Sequence, residues 1–338
     1  MLHYDIVLTV LTVLTVLTVV DGKKLKIMLI QEDIKNLKGL EIFLGYTCNL
    51  KCFFCYQKNL RKEYTKNIEK KEIIKLLEDG YNNGKRFIIF SGGEPTLDIN
   101  LSYYIEYSKK LGFIHIRVHT NGFGFINFDY LKDLYNKGLS GVTISIHGYN
   151  NIHDNITGKL GSFDIIKKAL INFEALKKIN NNFIFDINTV VCTFNYQSLT
   201  SIIAFLSKFN FTRLQLVIAY SLGNFSIKEK KEIIPEYQVV IPYIIKSLIL
   251  GNYYNKKIVI ENIPFCLINR KYWKNILDRI FIIRDSITVN EKYDEFLDDF
   301  NKTKLDECAD CKLNNICKGI TKDYKDVYEN FTLKPIYE

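Results

Sequence analysis

The chain has 338 residues, 47% hydrophobic and 25% charged, enough for one barrel-sized domain or two smaller ones, which excludes wholesale disorder. Its 5 Pro and 18 Gly leave no collagen-like or low-complexity tract of useful length, and no solenoid-type repeat is visible. The formal charge of +9 comes from 46 Lys and Arg against 37 Asp and Glu, but the bases are mostly lysines on amphipathic segments such as Ile68 to Leu77, and the seven arginines are scattered; a nucleic-acid partner is not expected from that pattern.

Residues 1–37 read as an N-terminal extension. Leu-Thr-Val stands four times from Leu8 to Val19, inside an uncharged run from Ile6 to Val20. That run is shorter than the ~20 apolar residues of a membrane helix. No basic segment precedes it, and Val20-Asp21-Gly22-Lys23-Lys24 is a poor signal-peptidase site. An unpacked extension, or translated sequence upstream of a start at Met28, is therefore expected, with the protein cytoplasmic and off the membrane.

From residue 40 onward short β-rich runs alternate with helical patterns. Leu40 to Tyr46, Arg86 to Phe90, Ile114 to Thr120, Val142 to His147, Phe183 to Val191 and Leu214 to Ala219 are predicted strands. Ile68 to Glu78, Leu101 to Leu111, Tyr130 to Lys137, Phe163 to Ile179, Ser198 to Lys208 and Ile227 to Leu250 are predicted helices, with Ser162 as an N-cap. Strict alternation implies parallel strands with right-handed crossovers.

Side-chain periodicity separates a barrel from a flat sheet. His115, Arg117 and His119 share one face of the third strand; Thr143, Ser145 and His147 share one face of the fourth. Asp186 and Asn188 repeat the pattern on the fifth, Arg213 and Gln215 on the sixth. A doubly wound sheet is covered by helices on both sides and is apolar on both, so polar faces on four strands imply an open barrel with a polar lumen.

The eight cysteines of so long a chain suggest metal binding rather than a disulfide framework. Cys48, Cys52 and Cys55 lie just beyond the first strand, where a β/α barrel keeps its active-site loops. Three thiolates can hold three corners of an iron–sulfur cubane and leave the fourth iron open, whereas zinc would want a fourth ligand nearby.

This C-x3-C-x2-C arrangement resembles the signature of the radical S-adenosylmethionine (radical SAM) enzymes, and its companions stand in order. Ser91-Gly92-Gly93-Glu94-Pro95-Thr96 ends the second strand and is similar to the family's Gly-Gly-Glu-Pro motif. His119-Thr120-Asn121-Gly122 ends the third strand and Ser145-Ile146-His147-Gly148 the fourth. The resemblance implies a partial (β/α)6 TIM-like barrel over residues 38–225, an α/β fold. It implies a [4Fe-4S] cluster on Cys48, Cys52 and Cys55, and S-adenosylmethionine held by Phe54, Gly92, Gly93, Glu94, Thr120, Asn121, Ser145 and Asn188. Glu94 and backbone groups would take the methionine amino group, and Phe54 would pack on the adenine. The implied chemistry is reductive cleavage of S-adenosylmethionine to a 5′-deoxyadenosyl radical that takes hydrogen from a substrate, with an electron donor such as flavodoxin or ferredoxin. No side chain is assigned as a catalytic acid or base.

Past a helical connection, residues 226–260, the segment 261–338 carries Cys308-x2-Cys311-x5-Cys317 followed by Lys318-Gly319. It resembles the family's SPASM and twitch auxiliary-cluster modules. The place of a further cysteine four residues after Cys317 is Thr321, so the resemblance implies one extra [4Fe-4S] cluster, on Cys266, Cys308, Cys311 and Cys317. Structural zinc on the same thiolates is the rival. Cys192 is expected to be a small buried hydrophobe. The expected substrate is a peptide or protein, the alternative a small anionic metabolite clasped by His115, Arg117, His119, Asp186, Arg213 and Gln215, because two buried arginines are costly without a partner. A non-catalytic iron–sulfur or zinc protein is the alternative of another class.

Overall fold

β-Rich runs and amphipathic segments alternate through the computed structural model, which describes residues 39–220, 225–276, 284–287, 292–293 and 301–337. The Leu-Thr-Val repeat and the expected extension lie outside these residues. The strands are β1 (Gly39–Phe43), β2 (Phe87–Ser91), β3 (His115–Thr120), β4 (Gly141–Ser145), β5 (Ile184–Val191), β6 (Leu214–Ile218), β7 (Ile258–Glu261), β8 (Arg284–Ile287), β9 (Lys292–Tyr293), β10 (Lys302–Thr303) and β11 (Ile320–Thr321). The helices are α1 (Leu60–Glu63), α2 (Lys70–Asn82), α3 (Leu101–Leu111), α4 (Phe128–Lys137), α5 (Asn151–Thr157), α6 (Ser162–Ile179), α7 (Leu199–Leu206), α8 (Ile227–Ile233), α9 (Tyr237–Tyr253) and α10 (Lys322–Val327).

The large sheet runs β7-β6-β5-β4-β3-β2-β1-β8-β9. Its pairings are parallel from β7 through β8, and β9 is antiparallel to β8. Among the described residues β7 and β8 do not pair with each other, so the barrel stays open. The fold is the α/β partial barrel that the strand pattern implies, with an addition: β7 straddles the end of the expected helical connection and the first residue of the expected C-terminal module, in which β8 also lies.

Alternation along each strand divides the sheet into two faces. Leu40, Ile88, Val118, Ile144, Phe185 and Leu216 turn outward and bury against helix residues such as Leu77, Ile105, Leu134, Leu170 and Ile203 in one continuous core. Each such side chain contributes about 1.5–3 kcal/mol when fully buried. The other face is mixed. Phe43, Phe87 and Ile89 give it apolar stretches on β1 and β2, buried but outside that core, while β3 to β6 carry the polar row. The polar row of β3 to β6 is the one legible in the sequence, and the buried carboxylates Glu41 on β1 and Glu261 on β7 extend it.

Two local expectations fail. Ser162 is not the N-cap of α6; that position is Gly161, and Ser162 is the first helical residue. The capping acceptor comes from α5: Asp154 takes the Phe163 and Gly161 N–H groups at 2.8 and 2.7 Å and the Ser162 hydroxyl at 2.9 Å. The predicted helix from Ile227 to Leu250 is two helices, because Pro235 disfavours helical backbone at Ile234, which is extended. By length and composition the stretch Ile227–Tyr253 could cross a membrane, but 44% of its apolar window is buried in this fold.

The C-terminal segment docks on α8 and α9. Lys230 Nζ lies 2.6 Å from Asp323 Oδ1 and 3.3 Å from Asp326 Oδ2. The Tyr237 and Tyr324 rings stack at 4.0 Å, and the Tyr237 N–H donates to the Tyr324 hydroxyl at 3.0 Å.

Candidate active site

The C-terminal ends of β1 to β5 converge on the Cys48–Cys55 loop. The loop after β2 is fastened to the loop after β1 by Gly93 N–H to Gly45 O and Glu94 N–H to Thr47 O, both 2.8 Å. A Cβ on Gly93 would lie 2.1 Å from Thr47 O, and Gly92 has φ +114° with Gly45 O 2.4 Å from any Cβ. The two glycines are thus required for loop-on-loop packing. The cysteine loop is also pinned from α5, where Thr157 O and Ile156 O accept from the Lys51 and Phe53 N–H groups at 2.9 and 3.1 Å.

Cys48, Cys52 and Cys55 are half-buried free thiols. Burial, and then the neighbouring Cys55 and Cys48 sulfurs, push the Cys52 thiol up to about 12. Burial also raises Cys48, against the backbone of Leu50 and the Arg61 guanidinium. Burial makes the bare thiolates costly without a metal. Arg61 was not legible as a site residue: its Nη2 lies 3.3 Å from Cys55 Sγ and its Nη1 2.7 Å from Leu50 O. An arginine six residues beyond a cysteine carries no periodic signal.

Glu94 is the polar hub. Its Oε1 accepts from Thr96 Oγ1 at 2.6 Å, Thr120 Oγ1 at 2.8 Å and Thr96 N–H at 3.1 Å, while Oε2 accepts from Asn121 N–H at 2.6 Å. Burial pushes its carboxyl up, and those hydrogen bonds pull it back. Asn121 Nδ2 reaches Asn49 Oδ1 at 2.7 Å and Cys48 Sγ at 3.7 Å. Gly-Gly-Glu and Thr-Asn therefore form one network with the cysteine loop. On the far side Ser145 and Asn188 are paired in register, and Asn188 Oδ1 is buried with no hydrogen-bond partner. Phe54 meets the His147 ring edge-on, centroids 4.9 Å apart. Burial, and then His153, push His147 down to about 3, and its Nδ1 accepts from Val190 N–H at 3.2 Å.

The Radical SAM superfamily model matches residues 42–206, the stretch that carries this network. Residues 42–206 belong to the radical SAM superfamily. Among curated proteins, the chain is 33% identical over 153 residues to Fe-coproporphyrin III synthase of Methanosarcina barkeri, covering 45% of this chain and 38% of that one. It is 28% identical over 193 residues to a probable GTP 3′,8-cyclase of Sulfolobus acidocaldarius, covering 56% and 58%. The chain thus spans between about two-fifths and three-fifths of these relatives. Among solved structures, Streptococcus suis SuiB bound to precursor peptide SuiA is similar at TM-score 0.59 and 14% identity, covering 89% of this chain and 75% of that one. Native anSMEcpe with bound AdoMet and a Cp18Cys peptide is similar at 0.56 and 18%, covering 88% and 92%. At such identities these structures speak for the fold alone, and they share the radical SAM partial barrel.

Within the radical SAM lumen the expected costly arginines have an internal partner. Arg117 Nη2 and Arg213 Nη2 each lie 3.1 Å from Asp186 Oδ2, which ties β3 and the start of β6 to β5. Asp186 Oδ1, Arg117 Nε and Arg213 Nε are buried without partners. His119 Nδ1 lies 3.6 Å from Glu41 Oε1, and Gln215 donates to Glu261.

Beyond the radical SAM core, Cys266, Cys308, Cys311 and Cys317 line one pocket with the apolar walls Phe265, Leu333, Pro335 and Ile336. Burial, followed by Cys317, Cys308 and Cys311, pushes the Cys266 thiol up to about 12. Gly319 N–H points to Cys317 Sγ at 3.4 Å and Ile336 N–H to Cys311 Sγ at 3.5 Å, donors that favour thiolates. Among the described residues no three His, Cys, Asp or Glu side chains are grouped to hold a single metal ion. Cys192 is buried in the core beside Val191, and burial raises its thiol to about 12.

Proposed function

We propose that the protein is a radical SAM enzyme that takes a hydrogen atom from a peptide or protein substrate. The observation that carries this reading is the convergence of the three-cysteine loop with the Glu94–Asn121 network and the orphaned Asn188 amide at the strand ends of a polar-lumened barrel. The residues fit the family's groups: Cys48, Cys52 and Cys55 would hold a [4Fe-4S] cluster, and Phe54, Gly92, Gly93, Glu94, Thr120, Asn121, Ser145 and Asn188 would hold S-adenosylmethionine. The chemistry these groups supply when bound is one-electron cleavage of the sulfonium and hydrogen abstraction by the released 5′-deoxyadenosyl radical.

The chain's own residues place and shield that chemistry. Asn121 ties the end of β3 to the cysteine loop, so cosubstrate and cluster would be positioned by one network. Glu94 Oε2 accepts a single bond and has capacity left for an ammonium donor. The Asn188 amide can turn either its acceptor or, flipped, its donors to a ligand. Phe53 packs on Phe54 and on the exposed Phe194 at the loop surface, centroids 5.4 and 4.7 Å apart.

Cys266, Cys308, Cys311 and Cys317 would hold a second [4Fe-4S] cluster, as in a SPASM or twitch module. The four thiols line one pocket, and the Gly319 and Ile336 N–H groups aimed at Cys317 and Cys311 suit thiolate ligands of such a cluster. A one-electron donor such as flavodoxin or ferredoxin would complete the system.

The peptide substrate is supported by the shared architecture of peptide-bound SuiB and anSMEcpe. A small anionic metabolite is the second reading, favoured by the Fe-coproporphyrin III synthase and GTP 3′,8-cyclase relatives and by the two arginines on one lumenal carboxylate. Anaerobically reconstituted, reduced protein is expected to release 5′-deoxyadenosine from S-adenosylmethionine. Deuterium transferred into it from a labelled peptide supports the first substrate class, and from a small acid the second. A folded, cluster-loaded protein that never forms 5′-deoxyadenosine would instead be a non-catalytic iron–sulfur protein.

A further inference from the structure

We propose that Arg61 is a positioning residue that holds the cysteine loop closed and raises the reduction potential of the cluster ligated by Cys55. This deepens the radical SAM reading and rests on it. Arg61 stands on α1, just past the turn Tyr56–Lys58 that follows the last cysteine. Its guanidinium spans the motif: Nη1 donates to Leu50 O at 2.7 Å, between Cys48 and Cys52, and Nη2 to Cys55 Sγ at 3.3 Å. One planar fork thus joins the beginning of the loop to its last sulfur, a geometry that a lysine's single ammonium does not reproduce.

The third donor adds a second observation. Arg61 Nε is buried and has no hydrogen-bond partner, an arrangement that ordinarily costs free energy. The sulfur atoms of a cluster held by Cys55 would be acceptors of the right charge for it.

The consequence is electrostatic. Reduction adds an electron to a cluster that already carries thiolate charge. A fixed cation and an N–H···S bond at one ligand stabilise the more negative form. Without them the same thiolates would bind a cluster that is harder to reduce.

The test uses the full chain, reconstituted anaerobically, as parent, Arg61→Gln and Arg61→Lys. Iron per chain is counted, and the midpoint potential is read from the paramagnetic resonance signal that responds to added S-adenosylmethionine, which distinguishes this cluster from any other. The expected result is unchanged iron, a more negative midpoint in Arg61→Gln, and a smaller shift in Arg61→Lys, which keeps the charge. Equal midpoints in all three proteins would overturn the proposal. So would loss of this cluster from both variants while they remain folded by circular dichroism, because Arg61 would then be only an assembly scaffold. A parent that loads iron but shows no signal responsive to S-adenosylmethionine overturns the radical SAM reading and this inference with it.

Discussion

Glu94 Oε2 accepts the backbone N–H of Asn121 at 2.6 Å, so the acid of the Gly-Gly-Glu sequence holds the end of the neighbouring strand before it holds any ligand. In Glu94→Gln one oxygen becomes an NH2 group, and a carboxamide cannot accept at both ends. Either the Asn121 N–H or the Thr96–Thr120 donor set loses its acceptor. A destabilisation of about 1–3 kcal/mol is expected from a buried donor left unpaired, together with weakened S-adenosylmethionine binding. Denaturant unfolding and equilibrium binding check the two effects. A variant as stable as the parent would show that the network tolerates an amide.

The glycine pair makes a sharper contrast. In Gly93→Ala the new methyl group meets Thr47 O at 2.1 Å, a backbone atom that cannot move aside alone. Gly84 has a left-handed φ of +80° but open space around it. Gly84→Ala is therefore expected to cost about 1–2 kcal/mol, from conformation alone. Gly93→Ala should separate the β1 and β2 loops and abolish S-adenosylmethionine binding. Thermal melts of both variants, with binding measured in parallel, test the distinction.

The barrel was legible because inward and outward residues alternate with period two. His115, Arg117 and His119 against Ile116 and Val118 needed no structure to separate. The less legible features depend on contacts distant in sequence. Asp154 caps α6 from the preceding helix, a role no local pattern assigns, and Ser162 only looked like the cap. Arg61 reaches Cys55 through a turn that the sequence does not display. Asp186 as partner of both Arg117 and Arg213 depends on the register of three strands. The break at Pro235 was locally visible, but apolar periodicity on both sides of it suggested one helix. β7 was hidden because Ile258–Glu261 is too short to stand out after a long apolar helix.

The shared carboxylate of Asp186 leads to an asymmetry in stability. Removing its charge in Asp186→Asn leaves two guanidinium groups facing a neutral amide, with side-chain exposures of 14% for Arg117 and 29% for Arg213. Breaking a buried ion pair by removing one partner costs about 3–5 kcal/mol. Arg213→Met should cost less, because Arg117 still balances Asp186 and the lost cation is the more exposed one. Urea titrations of the two variants should preserve that order; a reversal would mean that Arg213 is the dominant partner.

The two cysteine groups are expected to act separately. Four irons per cubane gives about eight per chain when both sites are loaded, and metal analysis giving about four irons and one zinc would assign zinc to the C-terminal pocket. Cys52→Ala should abolish 5′-deoxyadenosine formation. Cys311→Ala should spare part of it while removing the final product, because its pocket is built from other elements than the β1 loop. Equal loss of both activities in a folded Cys311→Ala protein would tie the sites into one.

Acid should destabilise the fold through the loop after β4. Burial holds His147 down to about 3 and His153 down to about 4, whereas both titrate near 6.5 in an unfolded chain. The native state keeps the two rings neutral, with His147 Nδ1 accepting from Val190 N–H and His153 Nδ1 from His147 N–H. Below pH 6.5 the unfolded chain binds protons that the native chain refuses, so this stabilisation is complete above that pH and is lost as the pH falls toward 4 and then 3. Each histidine contributes a slope of up to about 1.4 kcal/mol per pH unit inside its window. His147→Gln can keep an acceptor for Val190 but takes up no proton, so its stability should fall less steeply between pH 6.5 and 4. Urea unfolding at several pH values compares the slopes. If the parent and His147→Gln lose stability in parallel, the acid sensitivity arises elsewhere, and Phe54 packs on a ring whose charge state does not matter to the fold.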